Sequence, residues 1–282
     1  MFPNFSLTIK RKNTALFHYL IVMAGLLIAL CQYDPAQAQS TGLIFAPTIL
    51  EFEGRDRYAT LTLVNRGAKT HSYRISFINQ KMLENGQMEP TASPAEHEGF
   101  AGQYLRYSPR QITLSPGKPQ TIRVMLRLPA GVKEGEYRSH LLFQQIPDAL
   151  APVSKISEDG DLGVSITAKF GISIPAFIRV GELKAEAEIS EIKQLEKRDG
   201  KEVLGFVINR TGNKTVRGHI TVRADGKKVG YLSGLPIYLS ANKRLMDMQL
   251  DSRDLAGKKI QIEYKERGKD GGNIIALAEK QF

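Results

Sequence analysis

Between residues 162 and 174 an apolar side chain recurs at every second position: Leu162, Val164, Ile166, Ala168, Phe170, Ile172 and Ile174. Successive side chains of a β-strand point to opposite faces, so this period of two places all seven on one face of an extended strand. A helix would scatter them around its axis. Any fold for this chain must bury one face of a long strand, in its own sheet or against another molecule.

Shorter pieces repeat the pattern. "YATLTLVNRG" (58 to 67) puts Leu61 and Leu63 on one face and ends in an Asn-Arg-Gly turn signal. "HSYRISFI" (71 to 78) follows at hairpin distance with Tyr73, Ile75 and Phe77 in phase. "QITLSPGKPQTIRVMLRLP" (111 to 129) holds two strands around Ser115-Pro116-Gly117-Lys118, a tight-turn sequence. "EGEYRSHLLFQQIP" (134 to 147) adds another strand, and "DALAPVSKISEDGD" (148 to 161) reads as a polar loop before the long one. In the second half, 201 to 232 alternates strands with turns at Thr211-Gly212-Asn213 and Asp225-Gly226, and 258 to 282 reads as a closing hairpin. Strands at this spacing, with hardly a helical period, predict an all-β chain of two antiparallel β-sandwich domains. The division is expected near Gly181, giving a first domain over 39–180 and a second over 181–282.

The first 38 residues stand apart. Lys10, Arg11 and Lys12 precede the apolar run "ALFHYLIVMAGLLIAL" (15 to 30), and Ala36-Gln37-Ala38 is a small-x-small cleavage sequence. This reads as a cleaved secretory signal peptide. An uncleaved anchor is the alternative, but the run is shorter than the roughly 20 residues of a membrane span and His18 interrupts it. A lipoprotein site at Cys31 is a further alternative, although Leu30 stands where a small residue is wanted. Cys31 is the only cysteine, so the mature chain has no thiol to pair. Three basic residues and Asp34 leave with the leader, taking the formal net charge from +10 to +8. That suits an anionic partner or plain solubility. The basic residues have no aromatic interleaving that suggests base stacking, and nucleic acid is not an expected partner.

No catalytic pattern emerges. His71, His97, His140 and His219 stand far apart, without the spacing of a metal site, and no metal or other cofactor is expected. There is no G-x-S-x-G elbow, phosphate-binding loop or dinucleotide fingerprint. Glu51 and Glu53 share a strand face at the commonest spacing for surface charge, which gives little support to a hydrolase. The sequons at Asn209 and Asn213 matter only in a eukaryotic secretory pathway.

One stretch carries a resemblance. "LRYSPRQITLSPGKPQTIRV" resembles the Pro-x-x-x-x-Leu-x-Pro-Gly-x-x-Gln-x-(Val/Ile)-Arg-(Val/Ile) segment of PapD-like periplasmic pilus chaperones, through Pro109, Leu114, Pro116, Gly117, Gln120, Ile122, Arg123 and Val124. "ILEFEGRDRYATLTLVNRG" and "EGEYRSHLLFQQIP" resemble further family strands in the same order, so the likeness spans about 43 to 180. It implies two immunoglobulin-like domains meeting at an angle, and a non-enzymatic chaperone in the periplasm. The partners implied are pilus or fimbrial subunits and an outer-membrane usher. It also implies that the last strand of the first domain is lent to a subunit whose own sandwich lacks one. Such a subunit exposes an apolar groove flanked by unpaired backbone, which a donated strand covers on both counts.

On that resemblance Leu162, Val164 and Ile166 enter the subunit groove, while Ala168, Phe170, Ile172 and Ile174 pack in the chain's own first domain. Each large side chain so buried contributes about 1.5–3 kcal/mol. Periodicity alone leaves open that all seven are ordinary core positions. The family anchors the subunit's terminal carboxylate with an arginine and a lysine; here Ile49 takes the arginine's place, and Lys169 lies about two residues from the lysine's. The alternative function is a secreted structural or adhesive β-sandwich protein, itself a component of a surface fibre.

Overall fold

The computed structural model describes residues 42–147, 170–266 and 272–282. In chain order the strands of the first half are β1 (Leu43–Ala46), β2 (Leu50–Glu53), β3 (Tyr58–Asn65), β4 (His71–Ile78), β5 (Gln80–Met82), β6 (Met88–Pro90), β7 (Glu98–Gly99), β8 (Leu105–Ser108), β9 (Gln111–Leu114), β10 (Pro119–Leu126), β11 (Gly135–Ile146) and β12 (Gly171–Val180). The second half holds β13 (Ala185–Arg198), β14 (Lys201–Gly212), β15 (Val216–Ala224), β16 (Lys227–Ile237), β17 (Lys243–Gln249), β18 (Lys259–Glu266) and β19 (Ile274–Gln281). A single 3-10 turn, Ala101–Gln103, is the only helical element among the described residues.

The first sandwich packs the sheet β1-β3-β10-β8 against the sheet β2-β12-β11-β4-β9. Its core takes one face of each strand, as the alternation requires: Leu61 and Leu63 of β3, Tyr73 and Ile75 of β4, Ile122 and Val124 of β10, Leu141 and Phe143 of β11, and Ile174, Ala176 and Ile178 of β12. The chain between β1 and β2 switches sheets. β1 pairs antiparallel with β3, and β2, four residues later, pairs parallel with β12.

Strands β3 and β4, which the turn signal at Asn65-Arg66-Gly67 led us to expect as a hairpin, lie in different sheets. The tight turn at Ser115–Lys118 does form, with Lys118 N–H donating to the Ser115 carbonyl at 3.2 Å, yet β9 and β10 on either side of it also part to opposite sheets. One side chain holds both corners. Asn65, fully buried, donates through Nδ2 to the carbonyls of Lys69 (2.6 Å) and Leu114 (2.9 Å), while its Oδ1 accepts from Gly67 N–H and its own carbonyl accepts from Gly117 N–H. A carboxamide offers two donors and an acceptor, so one residue staples two arches that a hairpin turn could not make.

The second sandwich packs β13-β14-β17 against β16-β15-β18-β19 around Phe206, Ile208, Ile220, Val222, Ile260, Ile262 and Tyr264. Here the hairpins expected at Asp225-Gly226 and at the closing strands are present, whereas the turn at Thr211-Gly212-Asn213 leads from β14 to β15 in the opposite sheet. β15 and β16 pair across Asp225-Gly226, both at positive φ, and β18 pairs with β19. Positive φ at both central residues suits the twist of a two-residue hairpin.

Candidate functional site

Strand β12 is bordered differently along its length. On one side it pairs with β11 from Gly171 to Val180. On the other, β2 covers only Ala176–Arg179, and among the described residues no strand lies beside Gly171–Pro175. The backbone polarity of that open stretch follows from the ladder. Gln145 N–H donates to the Phe170 carbonyl at 2.9 Å, which makes Gln145 and Phe170 a hydrogen-bonded pair. Alternate pairs of an antiparallel ladder exchange their bonds, so Ile172 and Ile174 also turn their N–H and C=O toward β11. Gly171 and Ser173 turn theirs outward, and Pro175, which has no N–H to offer, falls on the outward phase too.

Of the residues read as this chain's own core, Ile174 is 2% exposed, Ile172 is half-buried against the core and Phe170 is 48% exposed. Phe170 is thus a correction. It precedes the first residue of β12 and lies at the sheet's outer edge, although Tyr73 and Ile112, in the same row across the sheet, are buried. Leu162, Val164, Ile166 and Lys169, with Ala168 and the leader, lie outside the described residues. The buried face continues beyond Ile174 through Ala176 and Ile178.

Below the open edge the two sandwiches meet over a polar network. Glu136 of β11 is fully buried and takes Arg179 Nε at 2.9 Å; Thr215, from the second sandwich, donates its N–H (3.2 Å) and its hydroxyl to the same carboxylate. Arg179 Nη1 also reaches Glu51, at 3.0 Å, and Glu53. Glu51 and Glu53 are exposed, as read from the sequence, and at the same time pair with a largely buried guanidinium. Burial alone would lower the pKa of Arg179, but Glu136, Glu53 and Glu51 override it and hold it above its ordinary value. A buried ion pair of this kind is costly to break from one side.

Beside the network the outer face of β11 and β12 is covered by the second sandwich. Phe177 packs with Met82, Tyr238 and Ala241, and Ile49 joins them half-buried. Arg138 donates to Glu98 at 2.7 Å and lies 4.2 Å over the Tyr238 ring. Burial raises the Glu98 pKa, outweighing the opposite pull of Arg138. His140, opposite Pro175 in register, is pushed down to about 3 by burial, helped by the charge of Arg138, and is neutral.

A cleft of about 630 Å³ opens between the sandwiches, lined by Ala46, Thr48, Ile49, Arg179, Lys214 and Arg217 among others. Ile49 turns toward the apolar cluster, so the charge that the family resemblance leads one to seek at this position is absent from it. The cations of the cleft come from β12 and from the second sandwich. Nothing in the local sequence around Lys214 or Arg217 marks them, because only the meeting of the sandwiches brings them to Thr48. No group of three or more potential metal ligands occurs among the described residues, and no described helix is long and apolar enough to cross a membrane.

No family model and no curated protein matches the chain. It is similar to solved structures at low identity: the YadV chaperone (12% identical, 86% of this chain and 100% of that one, TM-score 0.44), the CupB2 chaperone of Pseudomonas aeruginosa (12%, 85% and 100%, 0.42), and a chaperone–tip adhesion subunit complex, CsuC–CsuE, of Acinetobacter baumannii (13%, 84% and 97%, 0.44).

Proposed function

We propose that this chain is a non-enzymatic periplasmic chaperone that binds pilus or fimbrial subunits by lending them a strand, and delivers them to an outer-membrane usher. The division into two domains near Gly181 belongs to the same reading. The observation that carries it is the open edge at Gly171–Pro175, which follows the alternation of Leu162, Val164 and Ile166 by five residues in the sequence. A strand paired on one side offers the other to a partner's backbone, and its alternate apolar side chains supply a missing row of core. The motif order from Pro109 to Val124 points the same way.

The test is co-purification of tagged mature protein from the periplasm of its native host, with mass spectrometry of what is bound. The expected result is a small β-rich subunit in equal ratio, lost in Ile166→Asp while the variant stays folded. Recovery of the chain alone or as polymer would favour the surface-fibre component, and unfolding of Ile166→Asp would return that residue to the protein's own core.

A further inference from the structure

The short hairpin β5–β6 belongs to neither sheet of the first sandwich; its two strands pair only with each other. Its tip crosses to the second sandwich. Met82 N–H donates to Ser240 Oγ at 2.8 Å, and Leu245 N–H of β17 donates to the Glu84 carbonyl at 2.7 Å. Lys243 pairs with Glu84 at 3.3 Å. Met82 itself is 3% exposed, enclosed with Phe177, Tyr238 and Ala241.

The Leu245 bond has a particular meaning. β17 is the edge of its sheet, pairing with β14 alone. Leu250 N–H donates to Glu202 and Arg210 N–H to Asn242, so alternate residues between them turn toward β14 and Leu245 turns outward. The hairpin tip therefore satisfies an amide on the free edge of the other sandwich. Gly86, at φ +83°, leaves room for this: a Cβ there would stand 2.5 Å from Arg244 Nη2. Arg244 is held in place by the Pro236 carbonyl at 2.6 Å.

The sandwiches are thus joined along the outer face of β11 and β12, by the Glu136–Arg179–Thr215 network and the packing of Phe177 and Arg138 on Tyr238, and again at this hairpin. The first contacts come from neighbouring residues of two adjacent strands, beside the short connection at 181–184; the hairpin adds an attachment at the edge strand β17, away from them. We propose that the β5–β6 hairpin is a clasp that fixes the angle between the sandwiches, and thereby positions the cleft beside the open edge of β12 for a partner strand. The second half of this proposal rests on the function proposed above. Holding both surfaces in the bound arrangement before a partner arrives spares the ordering cost at binding.

The absence of cysteine after residue 31 makes the test clean. Spin labels on Lys118→Cys and Lys258→Cys, one in each sandwich, report the distance between them. Three clasp variants are compared: residues 83–87 replaced by Asn-Gly, Gly86→Leu, and Ser240→Ala with Ser240→Thr as the variant that restores the hydroxyl. The expected result is a single narrow distance distribution in the parent and in Ser240→Thr. The distribution broadens in the shortened hairpin and in Gly86→Leu, with subunit affinity weakened about ten-fold or more. A narrow distribution in folded clasp variants would overturn the clasp. Should the shortened hairpin fail to fold, Gly86→Leu and Ser240→Ala decide the matter alone. A broad distribution with unchanged affinity would overturn the positioning role. If the parent binds no subunit, the function proposed above fails, while the distance measurement still answers for the clasp.

Discussion

Strand β12 has two halves with different neighbours. Along Ala176–Arg179 it lies between β11 and β2, with Phe177 packed against the second sandwich and Arg179 held by three glutamates. Along Gly171–Pro175 it has β11 on one side and, among the described residues, no strand on the other. Ile172, Ile174, Ala176 and Ile178 carry the same apolar phase through both halves. It reports which face is buried, a property of side-chain direction. Whether an edge is covered depends on backbone groups, which every residue except proline carries alike.

The comparison can be broken most forcefully in the closed half. Arg179→Ala leaves Glu136 buried without its ion pair and is expected to destabilise the protein by about 3–5 kcal/mol in urea unfolding. A loss below about 1 kcal/mol would mean that Thr215 alone satisfies the carboxylate.

His140 stands at the border, opposite Pro175. Its folded pKa of about 3 is below its ordinary value, so the unfolded chain binds a proton that the folded one refuses. The stability from its neutral burial is complete above about pH 6.5 and is lost as pH falls toward 3, at no more than about 1.4 kcal/mol per pH unit. Glu98, raised by burial, acts in the opposite sense as pH rises above its ordinary range. The informative quantity is therefore the difference between parent and His140→Leu, whose stability should lose that dependence on acidification. Parallel curves from pH 7 to 4 would show that the histidine accepts a proton in the folded state.

Two proline substitutions sharpen the contrast within the open half. Ile172→Pro removes an N–H that faces β11 and strands a ladder carbonyl, for an expected loss of about 1–3 kcal/mol. Ser173→Pro removes an N–H that faces outward, so stability should change by less than about 1 kcal/mol, while binding of a subunit strand is lost. Equal destabilisation by the two would mean that the outward side is already paired. At the junction, Thr215→Val removes one hydroxyl donor from Glu136 while its N–H remains, costing about 1–2 kcal/mol in the same unfolding assay.

Much of the fold was legible residue by residue. Leu61, Leu63, Tyr73, Ile75 and Ile174 are buried as their spacing requires, and Asp225-Gly226 turns where it should. The partners of those strands were less legible. Asn65-Arg66-Gly67 reads as a hairpin turn, and it became an arch because the buried Asn65 carboxamide also reaches Leu114, 49 positions away in sequence. Glu51 and Glu53 are exposed as read, but their pairing with Arg179, far along the chain and on another strand, was not legible. Phe170 read as core because alternation does not tell an edge position from an interior one in the same sheet.

By itself the sequence determined the class of structure and the inward face of each strand. Both follow from the period of side-chain direction, which is local. Sheet partners, the buried Glu136–Arg179 pair, the hairpin that reaches β17 and the uncovered edge at Gly171–Pro175 were decided only in the tertiary structure. Each depends on which distant segment arrives beside a backbone or a charge, and no local period encodes that arrival.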